Sequence, residues 1–61
     1  MSVADNILFP LRESPNVVSS EYEQRKDKVL RQIGLEGIGH KMPSELSTGE
    51  KKRVGLARAI V

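Results

Sequence analysis

The segment Val54 to Val61 carries a single charge, Arg58, and its apolar residues fall on nearly every side of a helix. A helix that is apolar all round belongs in the interior of a larger body, because no orientation gives it a polar face for water. The chain has only 61 residues to cover it, whereas a domain usually runs to roughly 100–150. Chains of this size bury only around 60% of their unfolded surface and commonly need disulfides or a metal for support. Cysteine is absent, so neither a disulfide framework nor a thiolate metal site is available, and Phe9 and Tyr22 are the only aromatic residues. The sequence therefore predicts one small domain or part of one. It further predicts a chain cut off at its C-terminus, before the neighbours that would cover this last helix.

The remaining pattern is helical, with no strand. Ser2 and Asp5 have the spacing of a capping box, and Val3, Ile7, Leu8 and Leu11 recur at helical intervals. Pro10 interrupts them, so this first helix is expected to kink or end near Phe9. Glu13 to Ser19, with Pro15 and Asn16, reads as a loop. A second helix is expected from Ser20, with Glu23 completing a box, to a stop at Gly34. Its apolar stripe is Tyr22, Val29, Leu30 and Ile33, and Glu21–Arg25 and Asp27–Arg31 are acid-before-base pairs at i,i+4. Leu35 to Ser44 reads as a connector with at most one helical turn, at Leu35 to Ile38. Ser47 then precedes a third helix over Thr48 to Val61. The fold class expected is an all-α arrangement of about three helices, open or poorly packed.

Charge excludes little. Ten Lys and Arg against eight Asp and Glu leave +2, divided as −1 over residues 1–40 (five basic, six acidic) and +3 over 41–61 (five basic, two acidic). No apolar run approaches the roughly 20 residues that span a bilayer. The beginning of the chain lacks the basic region of a secretory signal, and the absence of cysteine fits a cytoplasmic protein. His40, the only histidine, lies in the Gly/Pro connector and reads as a solvated loop residue, since a catalytic histidine needs an orienting partner.

One stretch carries chemistry. Ser47-Thr48-Gly49 puts a hydroxyl and a backbone without a side chain at the mouth of a helix. There the first N–H groups lack internal partners and the dipole is positive, so an anion is welcome. The plainer reading is an ordinary serine N-cap, worth about 1 kcal/mol. The wider string Leu46-Ser47-Thr48-Gly49-Glu50-Lys51-Lys52-Arg53-Val54-Gly55-Leu56-Ala57-Arg58-Ala59-Ile60, led in by Pro43, resembles the signature motif and following helix of ATP-binding cassette (ABC) ATPases. Val3-Ala4-Asp5-Asn6-Ile7 resembles the helix that follows the glutamine loop in that family, and Gln32-Ile33-Gly34-Leu35 the end of the next helix. The resemblance runs from residue 2 to the end. Phe9-Pro10-Leu11-Arg12-Glu13 and Met42-Pro43-Ser44-Glu45-Leu46 look most like ATPases of phospholipid-trafficking importers, also described as toluene-tolerance proteins.

The resemblance implies a helical subdomain over residues 2–45 and the signature with its helix over 46–61, within an α/β phosphate-loop ATPase. It implies that Ser47, Thr48, Gly49 and Glu50 face the γ-phosphate of ATP, used with magnesium and held by the second subunit of a dimer. It also implies transmembrane permease subunits as partners, met by Ile7 to Leu11 and the following loop, and a place on the cytoplasmic side of the membrane. Thr48 and Glu50 depart from the usual glycine and glutamine, and Gly55 from the usual alanine. Glu50 is expected to point toward the subunit interface. The phosphate-loop pattern G-x-x-x-x-G-K-[ST] and a strand ending in Asp-Glu are both missing from these residues, so this chain alone is not expected to hydrolyse ATP. The rival reading is a small helical module binding nucleic acid or protein through Lys51, Lys52, Arg53 and Arg58. Lys51 and Arg58 share a face that Lys52 does not, which counts against it, and no nucleic acid is expected.

Overall fold

The computed structural model describes residues 1–61. It contains three α-helices and no strand: α1 (Val3–Glu13), α2 (Tyr22–Gln32) and α3 (Thr48–Ile60), with short 3-10 turns at Ser19–Glu21 and Pro43–Glu45. The expected all-α class is what the chain adopts.

Helix α1 begins as its sequence implies. Ser2 is extended, and its Oγ accepts a hydrogen bond from the Asp5 N–H at 3.1 Å. The expected end near Phe9 is not observed, because the helix continues through Pro10 to Glu13. An internal proline costs a helix about 3 kcal/mol. Stopping at Phe9 would forfeit more: Leu11 is 2% exposed and lies on the same buried face as Val3, Ile7 and Leu8. One fully buried leucine offsets about 1.5–3 kcal/mol, and the hydrogen bonds of the last turn add to it.

Helix α2 starts differently from the expectation at Ser20. Ser19–Glu21 form a 3-10 turn closed by the Glu21 N–H on the Val18 carbonyl at 3.0 Å. The N-cap is therefore Glu21, whose backbone is already helical (φ −95°, ψ −9°) and which makes no side-chain cap bond. A capping side chain needs an extended residue beneath it, and Ser20 sits one residue too early, inside the 3-10 turn. The C-terminus is as expected. Gly34 takes φ +75°, the Leu35 N–H reaches the Leu30 carbonyl at 2.8 Å, and the Gly34 N–H reaches that of Arg31 at 3.1 Å. These two bonds, with Leu30 and Leu35 both buried, form a Schellman motif. Of the two expected ion pairs, Glu21–Arg25 is present at 4.0 Å. Arg31 instead bonds Glu36 at 2.9 Å, because the Schellman turn brings Glu36 back under the helix end. Asp27 lies 3.4 Å from Lys26, which also bonds Glu23 at 2.6 Å. The Glu23 bond is the main reason the Lys26 pKa is raised.

The connector has no helical turn at Leu35 to Ile38. Two turns replace it, closed from Ile38 N–H to the Leu35 carbonyl (3.4 Å) and from Lys41 N–H to the Ile38 carbonyl (3.0 Å). Gly37 at φ +85° supplies a conformation that breaks any helix there. The connector then runs against the start of α1. The Val3 N–H donates to the Lys41 carbonyl and the Ala4 N–H to the Gly39 carbonyl, both at 2.8 Å. This approach is close enough that a Cβ on Gly39 would lie 3.3 Å from the Ala4 Cβ.

Helix α1 packs on both α2 and α3. The core consists of Val3, Ile7, Val29, Leu30, Leu35, Leu46, Val54 and Ala57, with Ile33, Ile38 and Val61 packed against it. It is thin: 10 of 61 residues are buried, none of them polar. From α3 only Val54 and Ala57 are buried, while Leu56 and Ile60 remain more than half exposed.

Two substitutions test this account. Ile7→Ala should cost about 2–5 kcal/mol, which in so thin a core should abolish cooperative unfolding followed by circular dichroism. Gly34→Ala should cost about 1–2 kcal/mol, because it forces a Cβ into the left-handed region; an unchanged urea midpoint would contradict the Schellman stop.

Candidate functional site

The start of α3 is built from the core outward. Leu46, 8% exposed, is inserted in the core. The Pro43–Glu45 turn delivers it there, closed by the Leu46 N–H on the Pro43 carbonyl (3.1 Å) and by the Met42 N–H on Glu45 Oε1 (2.8 Å). Leu46 and Ser47 are both extended, so successive side chains point to opposite sides. Burying Leu46 turns Ser47 outward. Ser47, Thr48 and Gly49 are exposed and Glu50 is half-buried, so the four expected site residues do lie together, on the surface, at a helix N-terminus.

Ser47 and Glu50 form a reciprocal capping box. Ser47 Oγ accepts from the Glu50 N–H at 3.2 Å, and Glu50 Oε1 accepts from the Ser47 N–H at 2.8 Å. The serine oxygen is thus occupied as an acceptor, and its hydroxyl proton can be donated to the neighbouring Glu50 carboxylate or to an incoming group. Thr48 and Gly49 N–H are the first-turn donors that the box leaves over. Helix α1 has no such surplus, since Val3, Ala4 and Asp5 N–H are taken by Lys41, Gly39 and Ser2. Gly49 has open space where a Cβ would stand, so an incoming group can approach the backbone closely.

The Glu50 carboxyl is held below its ordinary value, first by the hydrogen bond from the Ser47 backbone, then by that with the Ser47 side chain, and further by the charges of Lys41 and Arg53. The carboxylate of Glu50, the residue expected to point toward the subunit interface, is folded back onto the helix start. Read from sequence, Ser47 is only an ordinary N-cap; the S-x-x-E spacing to Glu50 is the signal that could have found the box.

The basic residues Lys51, Lys52, Arg53 and Arg58 are exposed and lie within 4.0 Å of no carboxylate. The first three follow one another, so about 100° per residue spreads them around α3 rather than aligning them. His40 is exposed beside a shallow cleft that also borders Ser2, Lys26 and Asp27. No helix is long and apolar enough to cross a membrane. What sequence reasoning missed is the structural part played by Gly39 and Lys41, whose contribution is made by backbone carbonyls and leaves no side-chain signature.

A carboxylate with a lowered pKa stabilises the folded form above its unfolded pKa, and this contribution is lost as pH falls through the folded value. Acidification below about pH 4.5 should therefore release the cap, read as an upfield move of the Ser47 amide proton resonance. Glu50→Gln should hold that resonance constant over the same range; a wild-type resonance that ignores acid would contradict the box.

Comparison with known proteins identifies the family. The family described as ABC transporter matches residues 1–61. The chain is 43% identical over 61 residues to the spermidine/putrescine import ATP-binding protein PotA of Nitrosomonas eutropha, covering all of this chain and 16% of that protein. It is 48% identical over 59 residues to the methionine import ATP-binding protein MetN of Bacillus subtilis, covering 97% of this chain and 17% of the relative. It is 39% identical over 61 residues to the Fe(3+) ions import ATP-binding protein FbpC of Agrobacterium fabrum, again covering all of this chain and 17% of the relative. The chain thus spans about one sixth of the length of the curated relatives it matches. With the match extending over every residue and the helix-capped Ser-Thr-Gly-Glu start of α3 displayed at the surface, the chain belongs to the ABC transporter family.

Proposed function

We propose that this chain is the helical, signature-bearing part of an ABC importer's ATP-binding subunit, and that Ser47, Thr48, Gly49 and Glu50 form its signature. In this reading the start of α3 meets the γ-phosphate of an ATP held in the phosphate loop of a second, identical subunit. The observation that carries it is the surface display of Ser47 and the Thr48 and Gly49 N–H groups at the end of α3. The Ser47 hydroxyl donates to a γ-phosphate oxygen, the Gly49 N–H adds a second donor, and the helix dipole favours the charge. This is electrostatic positioning of a transferring phosphoryl group, with no covalent step on this chain. Magnesium, bound with the phosphates by the phosphate-loop half, supplies charge neutralisation there.

Transport follows from coupling this contact to permease subunits. The residues Ile7 to Leu11 and the exposed loop after them are the candidate contact, with the assembly on the cytoplasmic face of the membrane. Relatives named for polyamine, methionine and iron import match at 43%, 48% and 39% identity. Similarity that ignores cargo supports a role in the ATPase step rather than in cargo choice. Phospholipid is the cargo suggested by the strings at Phe9–Glu13 and Met42–Leu46.

In the full-length subunit, Ser47→Arg should abolish ATP hydrolysis while nucleotide binding at the phosphate loop, measured with a fluorescent ATP analogue, stays near wild type. Loss of both together would show that the role given to Ser47 is wrong. The 61-residue chain itself should bind MgATP at most very weakly, so saturable tight binding in a calorimeter would overturn the division of labour proposed here.

A further inference from the structure

One peptide group governs how the chain leaves α1 on its way to α3. The Lys41 carbonyl and the Met42 N–H belong to the same planar unit. Its carbonyl accepts from the Val3 N–H at 2.8 Å, and its N–H donates to Glu45 Oε1 at 2.8 Å. The unit is therefore held at both ends, by α1 on one side and by the Pro43–Glu45 turn on the other. The other bonds of that turn run from the Glu45 N–H to the Met42 carbonyl (2.9 Å) and from the Leu46 N–H to the Pro43 carbonyl (3.1 Å). Both are backbone bonds, so the bond to the Glu45 carboxylate is the one that depends on a side chain.

Glu45 is exposed, joins none of the ion pairs, and makes this single side-chain hydrogen bond. Met42 and Ser44 beside it are exposed too and give the turn no apolar hold. We propose that Glu45 is a positioning residue for the start of α3. Its carboxylate fixes the Lys41–Met42 peptide plane against α1, and with it the direction from which Leu46 enters the core. Only Leu46 and Ser47, both extended, separate the turn from α3, so that direction also decides where Ser47 faces. An N–H bonded to a carboxylate makes a stronger bond than one to a neutral oxygen. It also polarises its peptide, so the Lys41 carbonyl accepts more strongly from Val3. The consequence for ATP hydrolysis rests on the signature reading given above; the hold on α3 does not.

The experiment uses the full-length subunit and reads the Ser47 and Thr48 amide proton resonances together with ATP hydrolysis. Glu45→Ala should displace both resonances and lower kcat about two- to tenfold, the range that one lost hydrogen bond commands. Binding of a fluorescent ATP analogue at the phosphate loop should stay at wild type, since Glu45 acts only on the start of α3. Glu45→Gln loses the charge but keeps the acceptor, and should match wild type in both readouts. Unmoved resonances in Glu45→Ala overturn the proposal, and so does a Glu45→Gln subunit as impaired as Glu45→Ala. Displaced resonances with a wild-type kcat, in a subunit that Ser47→Arg inactivates, overturn the role in hydrolysis and leave the signature reading standing. A fully active Ser47→Arg subunit overturns the signature reading, while resonances displaced by Glu45→Ala and kept by Glu45→Gln still support the hold on α3.

Discussion

Two backbone hydrogen bonds hold this structure in register, from the Val3 N–H to the Lys41 carbonyl and from the Ala4 N–H to the Gly39 carbonyl. They join the first turn of α1 to a connector nearly forty residues later in the chain, and they occupy donors that a helix start would otherwise offer to water. The contact is tight at position 39, where a Cβ would lie 3.3 Å from the Ala4 Cβ and one of the two would have to shift. Once the connector is fixed along α1, the Pro43–Glu45 turn has a defined starting point, and Leu46 falls into the core beside Val3, Ile7 and Val54.

The surface at the start of α3 depends on that insertion. An extended pair, Leu46 then Ser47, cannot bury one side chain without presenting the other to solvent. Ser47 is thereby held at the surface by an apolar contact on its neighbour rather than by a bond of its own. The two long helix starts then differ in chemistry. That of α1 is closed by carbonyls and a serine from within the chain, while that of α3 keeps the Thr48 and Gly49 donors and the Ser47 hydroxyl facing outward. A terminus of the second kind can hold a phosphate presented by another molecule; one of the first kind cannot without breaking tertiary structure.

The distribution of apolar burial is uneven. Helix α1 gives four residues to the interior, and α2 and α3 give two each. Leu56 and Ile60 lie one turn apart on α3 and stay more than half exposed, as does Val18 beyond α1. The interior therefore organises α1 tightly and leaves α3 supported along one edge only, with its N-terminal turn secured by the capping box and by Leu46.

The sequence by itself determined the helical class, the caps at Ser2 and Ser47, the stop at Gly34 and the family resemblance of the string Leu46 to Ile60. Each of these is a local matter: an oxygen three residues from an N–H, a glycine that can take positive φ, or a string read in order. Tertiary structure decided what local rules had pointed away from. Pro10 stays inside α1 because Leu11 is buried on the face begun by Val3 and Ile7. Ser20 loses its cap to a 3-10 turn, and Arg31 finds Glu36 rather than Asp27 because the chain reverses at Gly34. The connector, expected to hold at most one helical turn at Leu35 to Ile38, instead places the Lys41 and Gly39 carbonyls over α1. Ser20 is decided locally, by the Glu21 N–H on the Val18 carbonyl; for Pro10, Arg31 and the connector the deciding partner lies across a chain reversal or in the core, and its contribution appears only once the chain has closed on itself.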